Sequence, residues 1–376
     1  MYYFDHSATT PIGKEVLDLM HTIEANQFGN PSSIHRFGQQ ARNVVETARK
    51  QTAAAIGARS YDIVFTGGGT EANNIVLWNI LYQNKQHVIT SAIEHPAILN
   101  VLKNLKRFGL SYDIIPVDKY GVVNLYKLEK AIRQDTGLIS IMLANNEVGS
   151  IQPLEEIIAL ARNYTIPVHS DAVQTLGKIP VNVKVLDIDF LSFSAHKFYG
   201  PKGTGFLYIR KGQTINPHVI GGGQERKIRA GTENVPGIAG MGLAAQQAAE
   251  SVEESGRHLI QLADQFISGI SKNCPYVKFN GHPEKHLPGL VSMTIPGVTS
   301  DVLMIRLDRD NIAISNGSAC SSGTIEPSHV LNAMHFSITD NISTLRISFG
   351  KDNNSKDVNY LIEKLTAFIQ YYRNKH

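Results

Sequence analysis

Cysteine is nearly missing from this chain: 376 residues contain two, Cys274 and Cys320. Two thiols make at most one disulfide, which excludes a small cross-linked secreted scaffold. The count also excludes cysteine-rich zinc or iron–sulfur ligation, and no metal site is expected. An excess of charge of one sign is missing too. Lys and Arg number 36 against 33 Asp and Glu, a net +3, too little to imply a nucleic-acid partner, and the short basic run Arg226-Lys227-Ile228-Arg229 reads as a solvated turn. No stretch approaches the ~18 uninterrupted apolar residues of a membrane span. The start, Met1-Tyr2-Tyr3-Phe4-Asp5-His6-Ser7, has no basic region ahead of an apolar one, so no secretory signal is visible, and with so few cysteines a reducing cytoplasm is the expected compartment. Glycine (31) and proline (15) stay near background, while 42% hydrophobic and 18% charged residues rule out disorder and collagen-like repeats. The length is ample for a large core and one or two further units.

The middle of the chain alternates short apolar runs with helical periodicity. Strands are expected at 63–65, 88–90, 112–115, 138–142, 166–169 and 190–193, with helices near 71–83, 96–108, 125–134 and 154–163. Such alternation predicts an α/β fold with a mainly parallel sheet covered on both faces. The run 203–210 follows its predecessor after a short Gly-Pro-Lys-Gly turn and is expected to be antiparallel. A long alanine-rich helix over about 236–272 leads to a second, smaller α/β unit with strands near 290–294, 312–314 and 345–349 and a closing helix at 357–373.

In open α/β sheets ligands bind beyond the carboxyl ends of the strands, and chemistry-bearing residues gather there. Strand 63–65 runs into Thr66-Gly67-Gly68-Gly69-Thr70, strand 88–90 into Glu94-His95-Pro96, and strand 138–142 into Asn145-Asn146-Glu147. Strand 166–169 runs into Asp171 and Gln174, and strand 190–193 into Ser194-Ala195-His196-Lys197. A glycine run between strand and helix suits an anion, although the same turn can simply reverse the chain. Neither a Walker loop nor Gly-x-Gly-x-x-Gly occurs, which leaves room for a phosphorylated cofactor other than a nucleotide. Lys197 reads either as a snorkelling surface lysine or as a desolvated amine fit for Schiff-base chemistry. Asp171 is either a helix cap or a partner for a protonated heterocycle; His95 is either a cap or a ring-facing imidazole. Cys274 reads as a small buried hydrophobe. Cys320, in Gly317-Ser318-Ala319-Cys320-Ser321-Ser322-Gly323, has almost nothing beside it to pack.

The set Asp171-x-x-Gln174 followed by Ser194-x-His196-Lys197 resembles the pyridoxal phosphate-dependent class V aminotransferases, and within them the NifS/IscS-like cysteine desulfurases. Supporting segments are Tyr3–Pro11, Gly29–His35, Thr66–Asn74, Glu94–Pro96, Asn145–Gly149, Gly221–Arg226, Arg229–Asn234 and Gly317–Cys320. The resemblance implies fold type I of the pyridoxal phosphate transferases, with a large domain over 14–256 and a small one built from 1–13 and 257–376 that carries the Cys320 loop. It implies that Lys197 carries pyridoxal 5'-phosphate and shuttles a proton, that Asp171 and Gln174 hold the ring nitrogen and ring oxygen, and that His95 stacks on the ring and assists acid–base catalysis. Gly69, Thr70, Ser194 and His196 would hold the phosphate, joined by Thr232 from the other subunit of a homodimer; Asn146 and Arg346 would grip the carboxylate of L-cysteine. Cys320 would take the sulfur as a persulfide, for delivery to a protein acceptor, and its spacing from Arg346 resembles the longer-loop class. His6-Ser7 and Gly67 depart from the commoner Asn-Ala and Ser. The tail after Arg346 is shorter than in iron–sulfur housekeeping members, which favours a tRNA- or cofactor-thiolation acceptor over an iron–sulfur scaffold. The residues leave alternatives open: an aminotransferase or β-lyase with an inert Cys320, a non-catalytic phosphate-binding module, or, less well, a cysteine hydrolase.

Overall fold

The computed structural model describes residues 1–316 and 326–373. Its centre is a seven-stranded sheet in the order 63–66, 205–209, 190–194, 168–171, 136–140, 87–91, 111–115. Only Gly205–Ile209 runs against the others, pairing antiparallel with both neighbours, as its short connection predicts. Most of these strands are buried on both faces, so they read as apolar runs with no polar alternation. Helices Lys14–Asn26, Arg36–Ala55, Leu154–Asn163 and Val235–Glu250 cover one face. Helices Gly69–Asn79 and Pro96–Leu105 cover the other, so the sheet is doubly wound.

Two strands begin and end about two residues from where the apolar runs place them. Pro167 has no N–H, so the ladder of the 166–169 run starts at Val168 and continues to Asp171. Its neighbour ends at Ser140, yet Ile141 and Leu143 still donate to His169 and Asp171. The expected 236–272 helix is two helices, Val235–Glu250 and Val252–Asn273, parted at Ser251, whose hydroxyl and N–H both turn back to the Gln247 carbonyl. Two further helices, Lys14–Asn26 and Arg36–Ala55, precede the alternating region.

A second core lies over strands Lys278–Asn280, Leu290–Thr294 and Thr344–Ser348, which form an antiparallel sheet. Helices Val252–Asn273, Ser300–Arg309 and Ser355–Arg373 pack on it, and Phe4 is wholly buried within it. The chain's first strand, Tyr2–Tyr3, pairs with Ile312–Ala313. The segment that follows Phe4 therefore leaves the second core and runs to the carboxyl end of the large sheet, where His196 and Tyr199 hold Thr10. No described helix is long and apolar enough to cross a membrane.

Candidate active site

The carboxyl ends of the parallel strands open on a cavity of about 1010 Å³. Ten of the eleven described candidate positions line it: Gly69, Thr70, His95, Asn146, Asp171, Gln174, Ser194, His196 and Lys197, with Arg346 entering from the second sheet. Thr232 is exposed and lies outside this lining, and Cys320 lies outside the described residues. Among the described residues no cluster of histidine, cysteine and carboxylate suits a metal ion.

The glycine turn works by backbone conformation and by space. Gly68 has φ +149°, a left-handed value that favours glycine, and a Cβ on Gly69 would meet Val173 Cγ2 at 2.5 Å. The chain thus passes directly from strand Ile63–Thr66 into helix Gly69–Asn79, leaving that helix's first N–H groups and positive dipole end at the cavity. Ser194 closes the cradle from the neighbouring strand. His196 bonds Thr9 Oγ1 at 3.2 Å, and its pKa is pushed down to about 4 by burial and by the charges of Lys197 and Lys202. It is therefore a neutral imidazole at pH 7.

Lys197 sits on the single turn Ala195–Lys197 beyond strand Phe190–Ser194 and is partly buried. Its Nζ donates to the carbonyls of Ser7 (2.6 Å) and Ala8 (2.7 Å). Burial, then the Arg346 guanidinium, lower its pKa from 10.5 to about 8, against the opposing pull of Asp5 and Asp171. At neutral pH an appreciable minority of molecules present a free amine, the form that attacks a carbonyl.

Asp171 is buried at the end of its strand. Its Oδ2 accepts from Asn73 Nδ2 at 2.7 Å and its Oδ1 from the Val173 N–H at 3.0 Å. Gln174, one turn on, donates to the Ser7 carbonyl at 2.9 Å and accepts from Lys178 Nζ at 2.8 Å. His95 caps helix Pro96–Leu105 by accepting from the Ala97 N–H. Desolvation lowers its pKa most; Asp171 raises it, while Lys197 and His329 lower it further. Beneath it, Glu94 is wholly buried, accepts from Met142 N–H and Ser91, and is raised to about 8 chiefly by burial. Arg346, buried on strand Thr344–Ser348, donates from Nη1 to the Asn146 carbonyl (2.9 Å) and from Nη2 to Asp5 Oδ1 (2.8 Å); its Nε is buried without a partner. Serine 7 Oγ and Asn73 Oδ1 are likewise buried and unpaired. Unspent donors and acceptors at one cavity are what a ligand-binding site retains.

Four of these residues carried no role in the sequence reading: Asp5, Asn73, Lys178 and Glu71. Asn73 could have been found from its place one helical turn after Gly69, facing the sheet. Glu71 ties the cradle to the segment that carries Thr232, because it accepts from Gly67 N–H (2.8 Å) and pairs with Arg229 (2.7 Å). Glu225 adds a second tie, holding Arg49 with two bonds of 2.7 and 2.8 Å and accepting from Phe65 N–H. Nothing in local sequence announces such pairs.

The arrangement can hold an anion at a helix N-terminus, offer an amine of depressed basicity, face a buried carboxylate toward it, and grip a second anion with a guanidinium. Comparison with known proteins gives the family. The family model "Aminotransferase class-V" matches residues 2–361. A "Cysteine desulfurase IscS" of Methanosarcina thermophila is 46% identical over 99% of this chain and 93% of its own. A solved "NIFS-like protein" superposes with a TM-score of 0.92 at 38% identity, covering 98% of this chain and 99% of that one. A second structure, "SspA in complex with cysteine", gives 0.81 at 35% identity over 93% and 99% of the two chains. On fold, site and likeness together, this chain belongs to the class-V aminotransferase family, in its NifS/IscS-like cysteine desulfurase group.

Proposed function

We propose that the chain is a pyridoxal phosphate-dependent cysteine desulfurase, converting L-cysteine to L-alanine and transferring the sulfur through Cys320 to a protein acceptor. One observation carries the reading: a lysine amine with pKa lowered to about 8 faces the same cavity as a glycine anion cradle, a buried carboxylate and a buried arginine. The residues present fit the cofactor. The first N–H groups of helix Gly69–Asn79, with Thr70, Ser194 and neutral His196, suit its phosphate, joined by Thr232 of a second subunit; Lys197 suits its aldehyde. Asp171 suits its ring nitrogen, Gln174 its ring oxygen, and His95 the face of the ring. The unpaired atoms on Ser7 and Asn73 leave capacity for a polar ligand.

Bound there, pyridoxal phosphate supplies an electron sink for negative charge at the substrate Cα. The protein's part is placement and proton movement. Arg346 and Asn146 hold the substrate carboxylate, a task suited to the planar guanidinium fork. Asp171 keeps the ring nitrogen protonated, with Asn73 holding the carboxylate in place. Lys197 removes the Cα proton and returns one later. The thiolate of Cys320 takes the substrate sulfur: the Cβ–S bond breaks, an S–S bond forms, and alanine leaves with the balancing protons. An iron–sulfur scaffold or a tRNA- or cofactor-thiolation protein is the acceptor class. A division at 14–256 against 1–13 with 257–376 belongs to the same reading, with the boundary inside helix Val252–Asn273.

The test is product analysis. The purified protein is incubated with L-cysteine and a thiol, and alanine and sulfide are measured for the parent, Lys197→Ala and Cys320→Ala. Both variants should lose turnover. Equal product from all three overturns the proposal, and full turnover in Cys320→Ala alone leaves a lyase without persulfide chemistry.

A further inference from the structure

Lys178 is a cation placed where no carboxylate answers it. It follows Gly177 in the turn after Asp171 and Gln174, and its side chain points back under the cavity floor. A small pocket of about 50 Å³ lies on that side, and the titratable and charged groups that line it are His6, Lys197, Tyr199 and Lys351, with Arg346 felt from the second sheet. No described Asp or Glu is within ion-pair distance of Lys178. Its one direct side-chain bond is to Oε1 of Gln174, at 2.8 Å. Burial, then Lys197 and Arg346, lower its pKa to about 7. A partly buried, desolvated cation without a carboxylate partner is costly to a fold; a residue that only filled this volume would cost less as methionine.

The geometry gives the cost a use. Gln174 sits in a chain of bonds from Lys178 Nζ through its own amide to the Ser7 carbonyl, which also accepts from Lys197 Nζ. A protonated Lys178 is a donor only, so it admits only the oxygen end of the amide and leaves Nε2 on the cavity side, where one N–H donates to the Ser7 carbonyl and the second is left for a ligand. A cation on the carbonyl end also polarises the amide and makes its N–H a stronger donor.

We propose that Lys178 is a positioning residue, which holds Gln174 Oε1 so that Gln174 meets the cofactor's ring oxygen with a fixed and strengthened N–H donor. The inference rests on the cofactor reading above. A strong donor favours the ring oxygen as an anion, so Lys178, acting through Gln174, lowers the pH at which the cofactor bound at Lys197 loses its proton.

The test reads that midpoint. Parent, Lys178→Met, Gln174→Ala and the double variant are loaded with pyridoxal phosphate, and the visible absorption band is titrated with pH. Lys178→Met should move the midpoint up by about one pH unit, Gln174→Ala should also move it up, and the double variant should match Gln174→Ala alone. An unmoved midpoint in Lys178→Met overturns the inference, as does a double variant in which the two shifts add. Lys178→Gln, neutral and of similar length, is read the same way should the methionine variant not fold; if neither folds, Lys178 is structural and the inference fails. A parent that takes up no pyridoxal phosphate sinks the cofactor reading itself, a result distinct from a normal band that Lys178 does not influence.

Discussion

Replacing Lys197 with methionine should change not only activity but the pH dependence of folding. The folded pKa is about 8 against an ordinary 10.5. At about 1.4 kcal/mol per pH unit that difference amounts to roughly 3 kcal/mol. Its sign is destabilising: below pH 8 both folded and unfolded chains hold the proton, and the folded chain bears the whole cost of a desolvated ammonium. Between pH 8 and 10.5 the unfolded chain binds more protons, so stability contributed through this residue rises with pH. Methionine removes the cost but also the two bonds to Ser7 and Ala8, each worth about 1–3 kcal/mol, so the two proteins can be nearly equal at pH 7. The slope does not depend on that offset. From pH 7 to pH 10 the parent should gain roughly 2.5 kcal/mol on the variant. Lys178 acts in the same direction, because Lys197 helps to lower its pKa and that repulsion is gone in the variant. Urea unfolding of the cofactor-free proteins at the two pH values measures the difference. A difference constant within about 0.5 kcal/mol, or one that moves in the variant's favour as pH rises, refutes a depressed Lys197.

Three further outcomes are expected. Arg346→Gln should raise KM for cysteine roughly 10- to 100-fold, the worth of a charge-assisted bond, with the cofactor's absorption intact; steady-state alanine formation checks it. Asn73→Ala should release Asp171 Oδ2 and weaken pyridoxal phosphate binding about tenfold, read by equilibrium dialysis. Glu225→Gln should cost roughly 3–5 kcal/mol, because it leaves Arg49 charged, buried and half-answered; calorimetry of parent and variant measures it, and a change under about 1 kcal/mol would show the pair to be dispensable.

Most of the large sheet was legible because its strands are buried on both faces and so appear as short apolar runs between helical patterns. Helix Lys14–Asn26 also carries an apolar stripe, Val16, Met20 and Ile23, whereas Arg36–Ala55 is harder to read. Arg36–Ala55 packs through Gly38, Ala41, Ala48, Thr52 and Ala53, with Val45 its one large buried apolar side chain, and it buries an arginine. Small and polar residues on a buried face leave no hydrophobic stripe for periodicity to find. The break at Ser251 was hidden for the opposite reason: helical propensity runs straight through it, and only side-chain and backbone bonds to Gln247 mark the end. Residues at strand ends could be named as candidates from the α/β rule, and a resemblance gave them roles. Asp5 with Arg346, and Arg49 with Glu225, join residues far apart in sequence, which no spacing argument can pair.

Electrostatics was the least legible layer, because it belongs to the set and not to any residue. Lys197 and Lys178 are both lowered, and His95 and His196 with them, while Glu94 is raised. Desolvation is the first cause in every case, but it cannot tell cations from anions: it penalises both. What decides the balance is the census that remains charged. Around Lys197 the neighbours that matter are Arg346, which lowers its pKa, and Asp5 and Asp171, which raise it, and no described carboxylate forms an ion pair with Lys197 or Lys178. A phosphate in the glycine cradle and a carboxylate at Arg346 would each bring negative charge beside these desolvated cations, so the groups that make the cofactor-free site costly are the ones through which two anions bind. On that argument the cost of the apoprotein and the affinity of the loaded one are a single quantity, and a variant that stabilises the first by removing a cation must weaken the second.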